Sequence, residues 1–279
     1  METAVQTCYR HPDRRAGVRC QRCDRPICPD CMRQASVGFH CPECTKATGQ
    51  KVVRGAALVR RPAVVTNALI ALNVAVFVWG MGSGMTTKDQ VIYDGGLIGN
   101  GGLTPSGFVR GVAGGEWWRL VTSGFLHANL IHIAMNCLVL FQLGQLLEPA
   151  LGRLRFGLVY AVALLSGSFG VLLISPNELT VGASGAVFGL MGVAIAVMRA
   201  RGINVFDTGL GGAVLLNLAF TFAIPGISIG GHVGGLIGGF LAGWVLTDLG
   251  PRHLRDPRLA MAATALIGVA AAAGALLVA

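Results

Sequence analysis

Long apolar stretches alternate with short polar segments along the chain, and this pattern predicts seven membrane-spanning helices. Several stretches approach the roughly 20 residues that an α-helix needs to cross a bilayer. The fourth and fifth are short or interrupted by glycine, and the second carries two histidines and two asparagines. The predicted spans lie near residues 63–81, 127–147, 156–174, 184–198, 205–223, 231–249 and 259–279. We therefore expect an α-helical polytopic membrane protein.

The composition supports this fold class and excludes others. Of the 279 residues, 53% are hydrophobic, and the 41 glycines raise the apolar share to roughly two thirds, against ~45–50% in a soluble domain. Charged residues make up 13%, about half the usual ~25%. Soluble globular and disordered proteins do not have such a composition, and the glycines follow no collagen-like repeat.

The first part of the chain differs from the rest. Residues 1–54 hold ten Lys or Arg and five Asp or Glu, and seven of the eight cysteines lie between Cys8 and Cys44. The remaining 225 residues carry only twelve basic and eight acidic side chains. We therefore expect a small, basic, cysteine-rich module at 1–50 and a basic linker at 51–62, both ahead of the membrane-embedded part.

The module contains four pairs of metal-binding side chains, and two residues separate the members of each pair. Such a pair lets two ligands reach one tetrahedral ion from a tight turn. Eight ligands suffice for two closed zinc sites, and the short segments between them leave little room for a hydrophobic core, so metal is expected to drive folding. The pairs are Cys8 with His11, Cys20 with Cys23, Cys28 with Cys31, and Cys41 with Cys44.

A disulfide network is the alternative interpretation of these cysteines. Their odd number argues against it, and no secretory signal places the module in an oxidising compartment. His40 is an alternative ligand beside Cys41, which we interpret as a bystander. Nucleic acid is not an expected partner, because no base-reading helix or aromatic platform accompanies the arginines. Acidic lipid headgroups or a protein partner suit them better.

Basic residues between the predicted spans set the expected orientation. Ten lie before the first span or in the loops that follow spans two, four and six: Arg54, Arg60, Arg61, Arg153, Arg155, Arg199, Arg201, Arg252, Arg255 and Arg258. The other loops hold three: Lys88, Arg110 and Arg119. Because positive residues stay inside, we expect a multi-pass cell-membrane protein with a cytoplasmic N-terminus and module and an extracellular C-terminus.

Polar residues inside spans are costly and usually mark function. His132 and Asn136 are four residues apart and share a helix face in span two. Ser184 opens span four, and His232 lies near the start of span six. The predicted topology places all of them toward the outer side. A serine near a histidine is the minimal arrangement for an activated nucleophile, and a helix N-terminus suits a developing oxyanion.

Span six also carries glycines at strict four-residue spacing, at positions 231, 235, 239 and 243. Residues four apart lie on one face of a helix, and a face without side chains lets two helix backbones approach closely in a membrane. We interpret this stripe as a helix-packing surface.

Taken together, these motifs resemble those of the rhomboid intramembrane serine proteases, over roughly residues 63–250. The matching positions are Gly182 and Ser184, His232 with Gly235 and Gly239, His132 with Asn136, Trp118 with Arg119, and Gly144 with Glu148 and Gly152. The resemblance implies a six-helix rhomboid protease core at 63–250, with 259–279 as a seventh transmembrane helix.

The resemblance also implies roles for individual residues. Ser184 and His232 would form a catalytic dyad with no acidic third member. His132, Asn136 and the Ser184 backbone N–H would bind the oxyanion, with Gly182 lining that site. Other family features would be a Phe188 ring stacked on His232, a further histidine, His127, near the water-accessible mouth, and a first loop, 82–118, that dips into the membrane.

The cysteine pattern resembles B-box or RING-like modules, in which the first and third pairs share one ion and the second and fourth pairs share the other. The first implied zinc site would then contain Cys8, His11, Cys28 and Cys31. The second would contain Cys20, Cys23, Cys41 and Cys44. These ions would be structural, and the implied protease chemistry needs no cofactor.

The implied function is cleavage of other proteins' transmembrane segments near the outer face of the membrane. Expected substrates have small residues at the cut and helix-weakening residues nearby. One alternative is a non-catalytic rhomboid-like chaperone or quality-control binder, but such relatives typically lack the serine or the histidine. A transporter would explain broken helices and midplane polar residues, but no inverted repeat is apparent.

Overall fold

The computed structural model describes residues 6–35, 38–47, 62–82, 85–104, 107–254 and 256–279, without the side chains of 85–88 and 104. The chain divides into two compact units, Met1–Arg60 and Arg61–Ala279. Residues 51–61, which make up nearly all of the predicted basic linker, lie outside the described part, as does Arg255.

The N-terminal unit consists of two minimal antiparallel hairpins and a short helix. Strand β1 (Val18–Arg19) pairs with β2 (Pro26–Ile27), and β3 (Arg33–Gln34) pairs with β4 (Phe39–His40). Helix α1 (Pro42–Ala47) follows. Apart from Ile27, the buried residues of its small core are five cysteines. A core of this size offers little hydrophobic stabilisation, which agrees with the expectation that metal supports this fold.

The second unit contains a helix for each of the seven predicted spans. Five of these helices are long and apolar enough to cross a membrane, and the fourth and fifth are shorter apolar helices. The prediction of a polytopic helical membrane protein is therefore confirmed. The helices are α2 (Val64–Met81), α5 (Leu130–Leu151), α6 (Arg153–Ile174), α7 (Ser184–Ala200), α8 (Leu210–Ala223), α9 (Ile229–Trp244), which continues as a π-helix over Val245–Leu254, and α10 (Pro257–Val278).

The predicted fifth span begins too early. Residues Val205–Thr208 form a separate 3-10 turn, which the Asn204 side chain caps by accepting the Phe206 N–H. Gly209 follows at φ +76° and breaks the helical path, so α8 starts at Leu210. The apolar pattern did not distinguish this capped turn from the helix that follows it.

The first loop is more ordered than the sequence predicts. It contains helix α3 (Met85–Gly95) and a hairpin of β5 (Gly102–Thr104) with β6 (Gly107–Val109), and the single turn α4 (Arg119–Thr122) directly follows it. Arg119 is buried and holds this loop together: its guanidinium donates to the Glu116 carboxylate and to the carbonyls of Tyr93 and Gly96, at 2.6–2.8 Å. A buried cation is stable only with such partners.

The motif at the end of span two has a structural role. The Glu148 carboxylate accepts hydrogen bonds from the backbone N–H groups of Val65 and Thr66 and from the Thr66 hydroxyl, at 2.8–2.9 Å. It therefore caps the otherwise unpaired N-terminus of α2. A Cβ at Gly144 would overlap the Thr66 side chain, so the Thr66 side chain of α2 packs directly against the backbone of α5.

Glycines bring α9 into backbone contact with α7. A Cβ added at Gly235 would overlap the carbonyl oxygen of Gly185, and one added at Gly239 would overlap that of Gly189. On its other side, α9 approaches α6, where a Cβ at Gly230 would meet the carbonyl of Gly170. The predicted packing role of the glycine stripe is confirmed, since no side chain fits between these backbones.

We predict that Gly239→Ala will separate α9 from α7 and lower the unfolding temperature in detergent. Overpacking of a tight contact typically costs about 1–3 kcal/mol. Gly212→Ala is the matched control, because Gly212 also lies within a helix but a Cβ there meets nothing within 4 Å. The control should keep or raise the wild-type unfolding temperature, since alanine favours helix. Equal stability of the two variants would contradict the packing role.

Candidate active site and metal-binding clusters

Ser184 is the first residue of α7. The backbone N–H groups of a first helical turn have no partner within the helix, and the helix dipole makes this end positive. Gly182, two residues earlier, has φ +131°, and its N–H donates to the Ser123 carbonyl at 2.9 Å. The turn therefore presents Ser184 among free backbone donors.

His232 lies in the first turn of α9 and is 7% exposed. The Ser228 hydroxyl caps this helix by accepting the Gly231 N–H at 3.1 Å. The Phe188 ring stacks on the imidazole, with centroids 3.9 Å apart and planes at 15°. The expected stack is confirmed, and because Phe188 lies one turn after Ser184, α7 carries both the serine and the platform for the histidine.

The candidate oxyanion residues project from α5. Asn129 caps this helix by accepting the His132 N–H at 2.9 Å, and the Asn136 amide donates to the His132 carbonyl at 2.9 Å. A Cβ built on Gly182 would lie 2.7 Å from His132 Nε2 and 3.6 Å from Ser184 Oγ. His132, Gly182 and Ser184 therefore converge on one point, which only glycine at 182 leaves open.

These side chains line one cavity of about 510 Å³. His132 and Asn136 from α5, Ser184 and Phe188 from α7, and His232 from α9 all line it. Within the described residues, no hydrogen bond joins Ser184 to His232, and hydrogen bonds between catalytic groups are often long before a substrate binds. The arrangement offers a nucleophile, a base and several hydrogen-bond donors around one space, which suits acyl transfer.

Two further residues differ from expectation. His127, expected near the water-accessible mouth, is 3% exposed, and its ring packs edge-on against His132 with centroids 5.1 Å apart. Thr221 on α8, for which the sequence suggested no role, places its hydroxyl 2.7 Å from His232 Nδ1. No sequence motif indicated this contact, because it depends on how α8 packs against α9.

The structure groups the eight predicted metal ligands into two clusters. One contains Cys8, His11, Cys28 and Cys31, and the other Cys20, Cys23, Cys41 and Cys44, and the ligand atoms of each cluster lie within 4.8 Å of one another. This is the grouping that the resemblance implied, and His40 belongs to neither cluster. Both can hold a metal ion.

The spacing of the ligand atoms fits zinc. In a tetrahedral site, sulfurs lie about 3.8 Å apart, and a sulfur and a nitrogen about 3.5 Å apart. His11 Nδ1 lies 3.4 Å from the Sγ atoms of Cys28 and Cys31 and 3.8 Å from that of Cys8. In the second cluster, Cys23 Sγ and Cys41 Sγ are 3.7 Å apart.

Each cluster contains a thiol that the backbone keeps ionised. Burial opposes ionisation of Cys8, but backbone hydrogen bonds from Arg10, Cys28 and His11 outweigh it and lower the pKa to about 6. Burial of Cys20 is likewise outweighed by backbone hydrogen bonds, the Cys41 N–H foremost among them at 3.2 Å, and its pKa falls to about 6. The thiolate is the form of cysteine that binds metal.

Comparisons with known proteins concern mainly the second unit. Residues 114–249 match the Rhomboid domain family. The chain is 37% identical over 125 residues to Rhomboid protease GluP of Bacillus subtilis (strain 168), covering 44% of this chain and 24% of the relative. It is 43% identical over 99 residues to putative rhomboid protease YdcA of the same organism, and the match covers 35% of this chain and 50% of the relative.

A third relative is Rhomboid-like protease 1 of Toxoplasma gondii, 36% identical over 121 residues, which cover 41% of each chain. The chain thus spans half or less of the length of each of these relatives. The chain contains a rhomboid domain, and these similarities support the rhomboid family.

We predict that the purified full-length protein binds about two zinc ions, from the count of four ligands per closed site. Cys28→Ser and Cys41→Ser should each reduce the content to about one ion, since each removes a ligand from a different cluster. Elemental analysis of zinc, divided by the protein concentration, measures the number of ions per chain. Cys137→Ser is the control and should keep two ions, because Cys137 lies outside both clusters. One ion in the wild type would contradict the two-site assignment.

Proposed function

We propose that the protein is an intramembrane serine endopeptidase that cleaves transmembrane segments of other membrane proteins near the outer face of the cell membrane. Ser184 is the nucleophile and His232 the general base. The observation that carries the proposal is the convergence of Ser184, His232, His132 and Asn136, from three helices, on one cavity within a rhomboid domain. The printed names of the relatives support protease activity.

Acylation follows from the roles of these groups. Ser184 Oγ attacks the scissile carbonyl carbon, and its proton passes to His232. The resulting oxyanion receives hydrogen bonds from the Ser184 N–H and from the His132 and Asn136 side chains. Protonated His232 then donates its proton to the leaving amine, which departs as the C–N bond breaks and leaves an ester on Ser184.

Deacylation requires water in a membrane-embedded site. A water molecule gives a proton to His232 and attacks the ester carbonyl. Collapse of the second oxyanion returns the proton from His232 to Ser184 and releases the product as a carboxylic acid, which then ionises. The cavity suits this step, because polar side chains from α5, α7 and α9 line it and can hold water below a hydrophobic surface.

Substrate choice depends on the backbone that must reach Ser184. A regular helix has no free carbonyl to offer, so helix-weakening residues near the cut expose one. His132 crowds the space around Gly182 and Ser184, and small residues at the cut fit this narrow approach.

We further propose that the N-terminal clusters bind two structural zinc ions. Four protein ligands close each site and leave no position for a substrate or a catalytic water. The ions would stabilise a module whose own core is mostly cysteine. The basic surface of the module suits a protein partner or acidic headgroups, so we assign it to recruitment or regulation and not to peptide hydrolysis.

We predict that Ser184→Ala and His232→Ala each abolish cleavage of a test transmembrane substrate in detergent. The double variant should be no worse than either single one, because residues that act as one unit have non-additive effects. Rates of product formation measure this, with unfolding temperatures as a check on folding. Thr208→Ala is the control: its hydroxyl is exposed, donates to the Val205 carbonyl and lies outside the cavity lining. Activity in Ser184→Ala would exclude the assigned nucleophile.

A further inference from the structure

The hydrogen bonds of Thr221 determine which nitrogen of His232 carries its proton. Thr221 is buried on α8, and its Oγ1 lies 2.7 Å from His232 Nδ1 and 2.8 Å from the Asn217 carbonyl oxygen. A carbonyl oxygen only accepts hydrogen bonds, whereas a hydroxyl has one proton to donate and lone pairs to accept with. Both contacts can be hydrogen bonds only if the Thr221 hydroxyl donates its one proton to the Asn217 carbonyl.

It follows that the Thr221 oxygen must accept from His232. If Nδ1 were unprotonated, two lone pairs would face each other at 2.7 Å. The contact is attractive only when Nδ1 carries a hydrogen, and in the neutral ring this leaves the lone pair on Nε2. A base needs its free lone pair on the nitrogen that faces the nucleophile.

We propose that Thr221 is a positioning residue that fixes the tautomer and ring orientation of His232, so that Nε2 serves as the base for Ser184. The proposal rests on the Ser184–His232 dyad proposed above. Thr221 would take the place that an acidic residue occupies in a serine–histidine–aspartate triad, as a neutral acceptor at Nδ1.

The stacking of Phe188 cannot by itself fix the orientation of the His232 ring. Parallel rings 3.9 Å apart restrict the plane of the imidazole, but a 180° flip about the Cβ–Cγ bond returns the ring to the same plane and preserves the stack. Such a turn exchanges Nδ1 with a ring carbon and breaks only the hydrogen bond to Thr221. The two contacts are complementary: Phe188 fixes the plane, and Thr221 fixes the direction within it.

No described carboxylate competes for this nitrogen. Among the described residues that line the cavity, the titratable groups besides His232 are His132 on α5 and Glu178, which is exposed on the loop before α7. The lining residues from α7 and α8 have no titratable side chain. On α9 itself, His232 is the only ionisable residue. Thr221 is therefore the group that the structure offers at Nδ1.

The test compares Thr221→Val, which keeps the shape and removes the acceptor, with Thr221→Ser, which keeps the acceptor. Thr264→Val is the matched control. Thr264 is also buried and donates to the carbonyl four residues earlier at 2.8 Å, but its hydroxyl meets no histidine. Nitrogen NMR of labelled histidine, assigned with His232→Gln, reports the tautomer. Cleavage of a test transmembrane segment reports kcat and KM.

We expect the wild type to carry its proton on Nδ1, and Thr221→Val to show a mixture of tautomers. The kcat of Thr221→Val should fall about 3- to 10-fold, the value of one ordinary hydrogen bond, with little change in KM. Thr221→Ser should restore both readouts, and Thr264→Val should resemble the wild type in both.

A wild-type protein with its proton on Nε2 would overturn the proposal even if Thr221→Val failed to fold. So would a Thr221→Val protein with wild-type tautomer and kcat, or a serine variant that restores neither. An inactive wild type with its proton on Nδ1 would contradict the proposed protease function. It would still support the contact between Thr221 and His232, because the NMR measurement does not depend on turnover.

Discussion

The backbone contact between α7 and α9 is the constraint on which the rest of the site depends. Lipid is as apolar as leucine, so helices in a membrane gain little from burying apolar side chains and associate through close packing. Here the carbonyls of Gly185 and Gly189 occupy the space that side chains at Gly235 and Gly239 would need. Because Ser184 adjoins the first of these contacts and His232 precedes it by less than one turn, the glycine register sets both residues at one depth.

Two buried polar residues outside the cavity, Glu148 and Arg119, differ from Ser184 in their hydrogen bonding. Glu148 has three hydrogen-bond donors at the end of α2, and Arg119 has three acceptors beneath the first loop. Both side chains therefore have several hydrogen-bond partners, and they stabilise the scaffold. Within the described residues, Ser184 Oγ forms no hydrogen bond to a protein group, and it faces open space instead. A nucleophile that must react needs that freedom, whereas a structural group does not.

Much of the fold could be predicted from the sequence because apolar runs and glycine spacing are local signals. Helix α3 could not be predicted, since the sequence of Met85–Gly95 is largely polar and has no apolar run. The start of α8 was placed too early because Val205 and Phe206 look like helix residues until the Asn204 cap is seen. The turn at Gly152, by contrast, follows from a motif that places a glycine at φ +84° between α5 and α6.

Some residues of the candidate site could likewise be predicted from the sequence, and others could not. Ser184, His232, His132 and Asn136 were recognisable because they fall in ordered motifs, although each signal alone is weak. The grouping of the cysteines came from a resemblance, since spacing alone allows other pairings of the four pairs. Thr221 could not be found, because its role depends on how α8 packs against α9. The burial of His127 also depends on packing, whereas the resemblance implied a place near the water-accessible mouth.

The central claim, that Ser184 is a nucleophile activated by His232, is tested most directly by mapping the adduct of a fluorophosphonate probe. Such a probe phosphonylates an activated serine hydroxyl and releases fluoride. Mass spectrometry of the labelled, digested protein should find one adduct, on Ser184, and His232→Ala should lack it. An adduct on a different residue, equal labelling without His232, or no labelling of a folded wild-type protein would contradict the account.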